Sequence, residues 1–177
     1  MTTYWFELEI GPVGDLEEAA EQLYSICGDG QIAGDERGGT ITFSREALNA
    51  IRAILSAIDD SERAGLSVTS VMEDLVTVDD IAEKTSRSAQ AVGHWITGER
   101  GPGAFPAPVV YRGSRIKLYS WAQVSRWLSE ARLGHVDPAA AEVAAAAAEV
   151  NALLHARQVL RDAPTAHREA MAKLVAA

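Results

Sequence analysis

The stretch Tyr4-Trp5-Phe6-Glu7-Leu8-Glu9-Ile10 places a large apolar side chain at every second position. A period of two is typical of a β-strand with one buried face and one face in solvent. The dipeptide Gly11-Pro12 follows directly and is expected to end the strand. We therefore predict a half-buried strand whose inner face is formed by Tyr4, Phe6, Leu8 and Ile10.

The residues that follow alternate between helix and strand signals. Residues 15–27 carry apolar side chains at helical spacing, and Gly28-Asp29-Gly30 closes that helix. Residues 31–34 and 40–43 are predicted strands, joined by the hairpin turn Arg37-Gly38-Gly39.

A second helix is predicted over Arg45–Ala64, with Ser44 as its N-cap. Residues 66–72 are the expected last strand of this part. The order βαββαβ is the ferredoxin-like motif, which predicts an antiparallel sheet with both helices on one face. The inner face of the second helix is predicted to consist of Leu48, Ile51, Ile54, Leu55 and Ile58.

Short helices separated by tight turns are expected from residue 76 onward. Thr77 and Asp80 have the spacing of a capping box, and Ser88 can cap a second helix that Gly98 ends. Two short helices joined by a turn of about four residues are typical of a helix-turn-helix. Residues 109–111 and 116–119 then predict a β-hairpin, or wing, and Ser120 is the expected cap of a third helix.

The charge is distributed unevenly along the chain. The protein has 177 residues, a formal net charge of −9 and a pI near 4.9, which by itself argues against nucleic-acid binding. Residues 1–74 carry 15 acidic and 4 basic residues, whereas residues 75–135 carry 5 acidic and 8 basic ones. We therefore predict an α+β protein with three parts: an acidic ferredoxin-like domain (1–74), a winged helix-turn-helix domain (75–135) and an Ala-rich helical tail (136–177).

The tail begins at Asp137-Pro138, where the Asp can be the N-cap and the Pro the first helical residue. Its apolar stripe, with a second helix predicted over residues 166–175, leaves two alternatives open. The stripe can pack on its own chain, or the C-terminal helices can form a homodimer. The stripe consists of Val143, Ala147, Val150 and Leu154, with Leu153 and Leu160 nearby.

Basic and polar residues of the middle part lie where a winged helix-turn-helix needs them. The second helix, 88–97, would enter the major groove of duplex DNA, while the wing, 112–117, would follow the phosphate backbone or enter the minor groove. Gln90 could read adenine, and His94 could reach a base or a phosphate. The candidate DNA-binding residues are Arg87, Ser88, Gln90, Ala91, His94, Thr97, Arg100, Arg112, Arg115 and Lys117.

A set of motifs lies between residues 76 and 128: Val78-Asp79-Asp80-Ile81-Ala82, Ser88, Trp95-Ile96, Gly101-Pro102-Gly103, Phe105-Pro106-Ala107-Pro108, Arg112–Arg115, Ser120-Trp121, Val124 and Trp127-Leu128. With these motifs, residues 76–128, 53 of the 177, resemble the small winged helix-turn-helix proteins of the MerR-like and AlpA-type excisionase-like group. The resemblance implies a DNA-binding transcriptional regulator. A basic residue is common in that group just inside the recognition helix, where this chain has Ala89, so base readout would fall to Gln90 and His94.

Sequence patterns typical of an enzyme or a metal site are not supported by their position in this chain. Residues 28–33 satisfy the dinucleotide string G-x-G-x-x-A but follow a helix and precede a strand, the reverse of the Rossmann arrangement. The four histidines share no ligand spacing, and Cys27 is predicted to lie in the core, as are Trp95, Trp121 and Trp127. We therefore expect no enzyme, no catalytic residue, no metal site and no cofactor.

No signal peptide and no membrane span are expected, and a cytoplasmic location is the simplest interpretation. An alternative to DNA binding is a protein-interaction adaptor whose acidic N-terminal domain attracts a basic partner. That domain could also bind a small effector.

Overall fold

The computed structural model describes residues 1–112 and 116–175 and shows a mixed α+β protein. These residues form seven helices and two antiparallel sheets. The elements are β1 (Thr2–Ile10), α1 (Leu16–Ile26), β2 (Gly30–Asp35), β3 (Gly38–Ala47), α2 (Ala50–Arg63), β4 (Val68–Val71), β5 (Leu75–Val76), α3 (Val78–Lys84), α4 (Ala89–Thr97), β6 (Val110–Arg112), β7 (Ile116–Ser120), α5 (Trp121–Ala131), α6 (Pro138–Asp162) and α7 (Thr165–Val175). We call β1–β4 with α1 and α2 the first unit, and β5–β7 with α3–α5 the second unit.

The first sheet has the strand order β2-β3-β1-β4, and each strand is antiparallel to its neighbours. β1 pairs with β3 along its whole length, from Thr2 opposite Ala47 to Ile10 opposite Gly39. The apolar side chains of β1 are buried against α1 and α2, which confirms the inner face predicted from the period of two. The alternate side chains of β1 lie on the other face of the sheet.

The predicted boundary between β3 and the second helix is wrong. Residues 44–47 continue the strand because residues 2–5 of β1 supply their backbone partners. The helix starts at Ala50, and Asn49 rather than Ser44 is its N-cap, accepting a hydrogen bond of 3.0 Å from the backbone N–H of Arg52. Leu48 precedes the helix and is exposed, and Leu55 lies about 100° around the helix from the buried Ile54 and is exposed too.

Arg45, predicted to lie on that helix, is instead a strand residue with a buried side chain. Its guanidinium donates to both carboxylate oxygens of Asp29, at 2.7 and 2.8 Å, and lies 2.9 Å from Asp60. The hydrogen bonds from Arg45 hold the pKa of Asp29 below its usual value. A buried cation is therefore compensated by carboxylates from two other segments, which fixes α2 on the sheet.

Two smaller predictions at helix starts differ in detail from the structure. Leu16, one of the apolar residues at helical spacing in the predicted first helix, is the first helical residue after the N-cap Asp15 and is exposed. Ser120 precedes α5 as predicted but makes no side-chain capping hydrogen bond. The last strand of the first unit is shorter than predicted, Val68–Val71.

The second unit encloses its own hydrophobic cluster beneath a three-stranded sheet of order β5-β7-β6. β5, which the sequence analysis missed, pairs with β7 through Leu75 opposite Ser120. Trp95, Trp121 and Trp127 are buried in this cluster, as predicted.

The long helix α6 packs against both units. Its predicted stripe is turned toward the first unit, where Ala147, Val150 and Leu154 are buried with residues of α2 and the sheet. Ala144 lies in the cluster of the second unit, and α6 also packs along α5. Of the two alternatives for the stripe, the structure therefore shows packing on the chain itself.

Two polar side chains of α6 fasten it to the first unit. The carboxylate of Glu142 accepts hydrogen bonds from the Tyr4 hydroxyl (2.8 Å) and the backbone N–H of Ala50 (3.0 Å) at the start of α2. Asn151 accepts from the backbone N–H of Val71 (2.7 Å) and donates to its carbonyl (2.8 Å). Asn151 thus satisfies both backbone groups of a residue on the edge strand β4.

No helix in the described ranges is long and apolar enough to cross a membrane.

Candidate nucleic-acid interface

A tight turn joins α3 to α4, and hydrogen bonds at the helix ends fix its position. The Thr77 side chain and Asp80 form the predicted capping box at the start of α3. At its end the buried Thr85 donates from its hydroxyl to the carbonyl of Ile81 at 2.6 Å. Ser86 then adopts a left-handed conformation with φ 53°. This conformation reverses the chain and leads into α4.

The borders of α4 are as predicted. The Ser88 hydroxyl accepts a hydrogen bond of 3.2 Å from the backbone N–H of Ala91, and Gly98 ends the helix with φ 74°. Val92 and Trp95 are buried, so the opposite side of α4 is turned to solvent.

The predicted contact residues of α4 lie along this outward side and at its ends. Ser88, Gln90 and Thr97 are exposed, and Ala91 and His94 are half-buried. Arg87 lies just before the helix and Arg100 just after it, both exposed. The helix thus presents polar side chains along one side, with a cation at each end.

His94 has a partner that the sequence analysis missed. Its Nδ1 lies 2.5 Å from a carboxylate oxygen of the exposed Glu99. The left-handed Gly98 turns the chain back, and the Arg100 backbone N–H donates to the His94 carbonyl at 3.1 Å. Glu99 therefore places a negative charge beside the last turn of α4. The spacing of the two residues does not predict this contact, because it depends on the path of the chain after Gly98.

The hairpin β6–β7 lies at the position where the wing is predicted, and the structure describes it only in part. Arg112 pairs through its backbone with Ile116, and Lys117 is exposed. The predicted contact Arg115 lies outside the described residues, and so does the side chain of Arg112.

Aromatic side chains fix the hairpin and the preceding Gly/Pro segment to the helices. Phe105 packs edge-on against Trp127 and Tyr119, with ring centroids 4.9 and 5.7 Å apart. Trp127 also donates from Nε1 to the Gly103 carbonyl at 2.9 Å, and its ring lies 5.9 Å from that of Trp95. α4, the Gly/Pro segment and β7 are therefore held by one aromatic cluster.

The charges around α4 differ from those of α3. In the part of the chain that the structure describes, no ion pair involves Arg87, Arg100 or Lys117. Lys84 on α3, by contrast, is neutralised by Asp74 at 2.9 Å. Cations available to an external anion therefore lie at the ends of α4 and on the hairpin.

The remaining groups that could carry chemistry are metal-ligating side chains and the thiol of Cys27. Within residues 1–112 and 116–175, no three His, Cys, Asp or Glu side chains come together as metal ligands would. Cys27 packs at the margin of the first core, where burial, followed by the nearby Asp29 charge, raises the pKa of its thiol. A raised pKa disfavours the thiolate and with it nucleophilic reactivity.

Comparisons with known proteins give no relative for this arrangement. No protein-family model matches the chain, and neither a curated protein nor a solved structure matches it significantly.

Proposed function

We propose that the protein binds duplex DNA through α4 and the β6–β7 hairpin, acting as a transcriptional regulator. The observation that carries this proposal is the outward side of α4, which has polar side chains along it and ends in Arg87 and Arg100, which form no ion pair with any residue that the structure describes. Cations flanking an exposed helix supply the phosphate contacts that position a protein on DNA.

The dimensions of α4 suit the major groove. An α-helix with its side chains is about 10–12 Å across and the major groove is about 12 Å wide, so the nine residues of α4 can lie in the groove over about 14 Å. Gln90 would read adenine through its amide, while Ser88, Ala91 and Thr97 would contact bases or the backbone. His94 would contribute once Glu99 releases it.

The finer architecture belongs to the same proposal. The order α3, α4, hairpin, α5 supports a winged helix-turn-helix in the second unit. The strand order β2-β3-β1-β4, with α1 and α2 on one face, supports a ferredoxin-like first unit.

A homodimer would double the small contact area of one such unit. Since the stripe of α6 is buried in its own chain, dimerisation through the C-terminal helices would use the outer side of α6. Leu153 is 61% exposed there, and it lines a shallow groove with Leu160.

Fluorescence anisotropy with a labelled mixed-sequence duplex tests DNA binding. The triple substitution Arg87→Ala, Arg100→Ala and Lys117→Ala is expected to weaken binding and to lower the slope of log affinity against log salt by about three, one per lost phosphate contact. The matched control, Arg37→Ala with Arg52→Ala, removes exposed cations from the first unit and is expected to change the slope little. An unchanged slope in the triple variant would exclude this surface as the DNA contact.

A further inference from the structure

One face of the first sheet has no helix on it within the described residues. α1, α2 and α6 pack with Tyr4, Phe6 and Leu8, which all lie on one side of the sheet. Residues paired directly across antiparallel strands share a face, so the register assigns the opposite side. We call this side the open face; it includes Thr3, Trp5, Glu7 and Glu9 of β1, Thr40, Thr42, Ser44 and Glu46 of β3, Gln31, Ala33 and Asp35 of β2, and Ser70 of β4.

Trp5 is the large apolar side chain of the open face and is 69% exposed. The other three tryptophans of the chain are buried. Beside Trp5, a groove of about 370 Å³ runs between the sheet and the start of α6, lined by the apolar Met72 and Val143 and by the acidic Glu73 and Asp74. An indole ring left in solvent beside a groove with apolar and acidic walls is typical of a surface that another molecule covers.

The charged side chains of the open face are all acidic. Glu7, Glu9 and Glu46 lie on it, whereas Arg45, the one basic residue of β1 and β3, points to the opposite side and is buried. Arg37 lies in the turn at the far end of β3 from Trp5. The first 74 residues have a net charge of −11. This field repels nucleic acid and anionic lipid and attracts cations.

On this margin, β1 has no strand partner beyond β4 among the described residues, and the start of α6 lies across the groove from it. β4 pairs with β1 only at Leu8–Ile10, and the Glu7 carbonyl accepts the last hydrogen bond, from the backbone N–H of Met72 at 2.8 Å. Alternate residues of an antiparallel strand direct their backbone groups to opposite neighbours. Thr3 and Trp5 therefore direct their N–H and C=O groups to the side of β1 that β4 does not reach.

We propose that the open face docks an extended polypeptide segment rich in lysine or arginine, independently of the DNA contact on the second unit. A basic side chain would stack over the Trp5 ring, where a cation within about 6 Å of the centroid is attracted. Glu7 and Glu9 would hold neighbouring cations, and the segment's backbone would pair along Thr3 and Trp5.

The test is a titration of the full chain with a capped octapeptide that alternates lysine and threonine, followed by tryptophan fluorescence in low salt. A second octapeptide with glutamate in place of lysine is the control ligand. The variant Trp5→Phe identifies the part of the signal that comes from Trp5. Glu7→Gln with Glu9→Gln changes the open face, and Glu18→Gln with Glu21→Gln removes the same charge from the exposed side of α1.

The lysine peptide is expected to change the emission of Trp5, and the glutamate peptide is not. The open-face double variant is expected to bind the lysine peptide about fivefold more weakly, because it loses two exposed ion pairs. The α1 variant is expected to lose less than twofold in affinity. Equal losses in both variants, or no change at Trp5, would overturn the proposal. Iodide quenching of Trp5 is also measured at increasing protein concentration without peptide. If Trp5 becomes protected, a second copy of the chain covers the open face, and this result would overturn the proposal too.

Discussion

Replacing Asn151 with aspartate tests how α6 is fastened to the first unit. The change keeps the size of the side chain and an acceptor for the Val71 N–H, but it removes the amide donor that reaches the Val71 carbonyl (2.8 Å) and Glu73 (3.3 Å). The carbonyl is left unpaired beside a new carboxylate, which costs about 1–3 kcal/mol. Repulsion from the exposed Glu73 adds roughly 1 kcal/mol after screening.

The expected loss of about 2–4 kcal/mol corresponds to a Tm lower by about 4–16 °C for a chain of this length. The loss also depends on pH. The neighbouring acceptors raise the pKa of the introduced carboxyl in the folded state, and a protonated carboxyl can donate to the Val71 carbonyl again. Folding then takes up protons, so the variant recovers stability relative to the wild type as pH falls from 7 toward 4.

Thermal unfolding followed by circular dichroism at both pH values measures the loss. Asn151→Ala is the control, because it removes the same hydrogen bonds without adding a charge and is expected to show a loss that varies little with pH. If Asn151→Asp unfolds at the wild-type Tm at pH 7, or if its deficit does not narrow at pH 4, Asn151 does not hold β4 as described.

Three further changes have defined outcomes. Glu99→Gln removes the negative charge beside α4, so affinity for duplex DNA is expected to increase severalfold in low-salt anisotropy; weaker binding would contradict the placement of α4 at the DNA. Ser86→Gly relieves a left-handed residue and is expected to stabilise the fold by about 0.5–1 kcal/mol in thermal unfolding, whereas a lower Tm would show that the serine side chain matters more than its φ of 53°. The Thr77 backbone and side-chain hydrogen bonds hold the pKa of Asp80 below its usual 3.8, so the stability that Asp80 adds is present above that pH and is lost as the pH falls through its lowered pKa; a Tm difference between wild type and Asp80→Asn that stays constant from pH 7 to 2 would contradict this.

Local signals predicted the elements whose determinants lie close together in the sequence. The period of two in β1, the capping box at Thr77 and the cap at Ser88 all act within a few residues, and the structure has them. At residues 44–49, by contrast, both Ser44 and Asn49 can cap a helix. Pairing with β1, some 40 residues earlier in the chain, decides in favour of the strand, and no local pattern contains that information.

In the candidate interface too, features set by nearby residues were predictable and features set by the path of the chain were not. Helical periodicity was enough to predict which residues of α4 face outward, since Val92 and Trp95 define the inner side. The contact of Glu99 with His94 depends on how the chain turns after Gly98, which spacing alone does not give. The stripe of α6 was visible in the sequence, but the surface that it covers was not.

The packing of α6 has a consequence for how the protein unfolds. This helix of 25 residues is about 37 Å long and takes part in both hydrophobic clusters. A fragment that stops before Pro138 would expose apolar side chains of each cluster to water, so neither unit is expected to be fully stable alone. The two units are therefore expected to unfold in one cooperative transition, because both depend on the packing of α6.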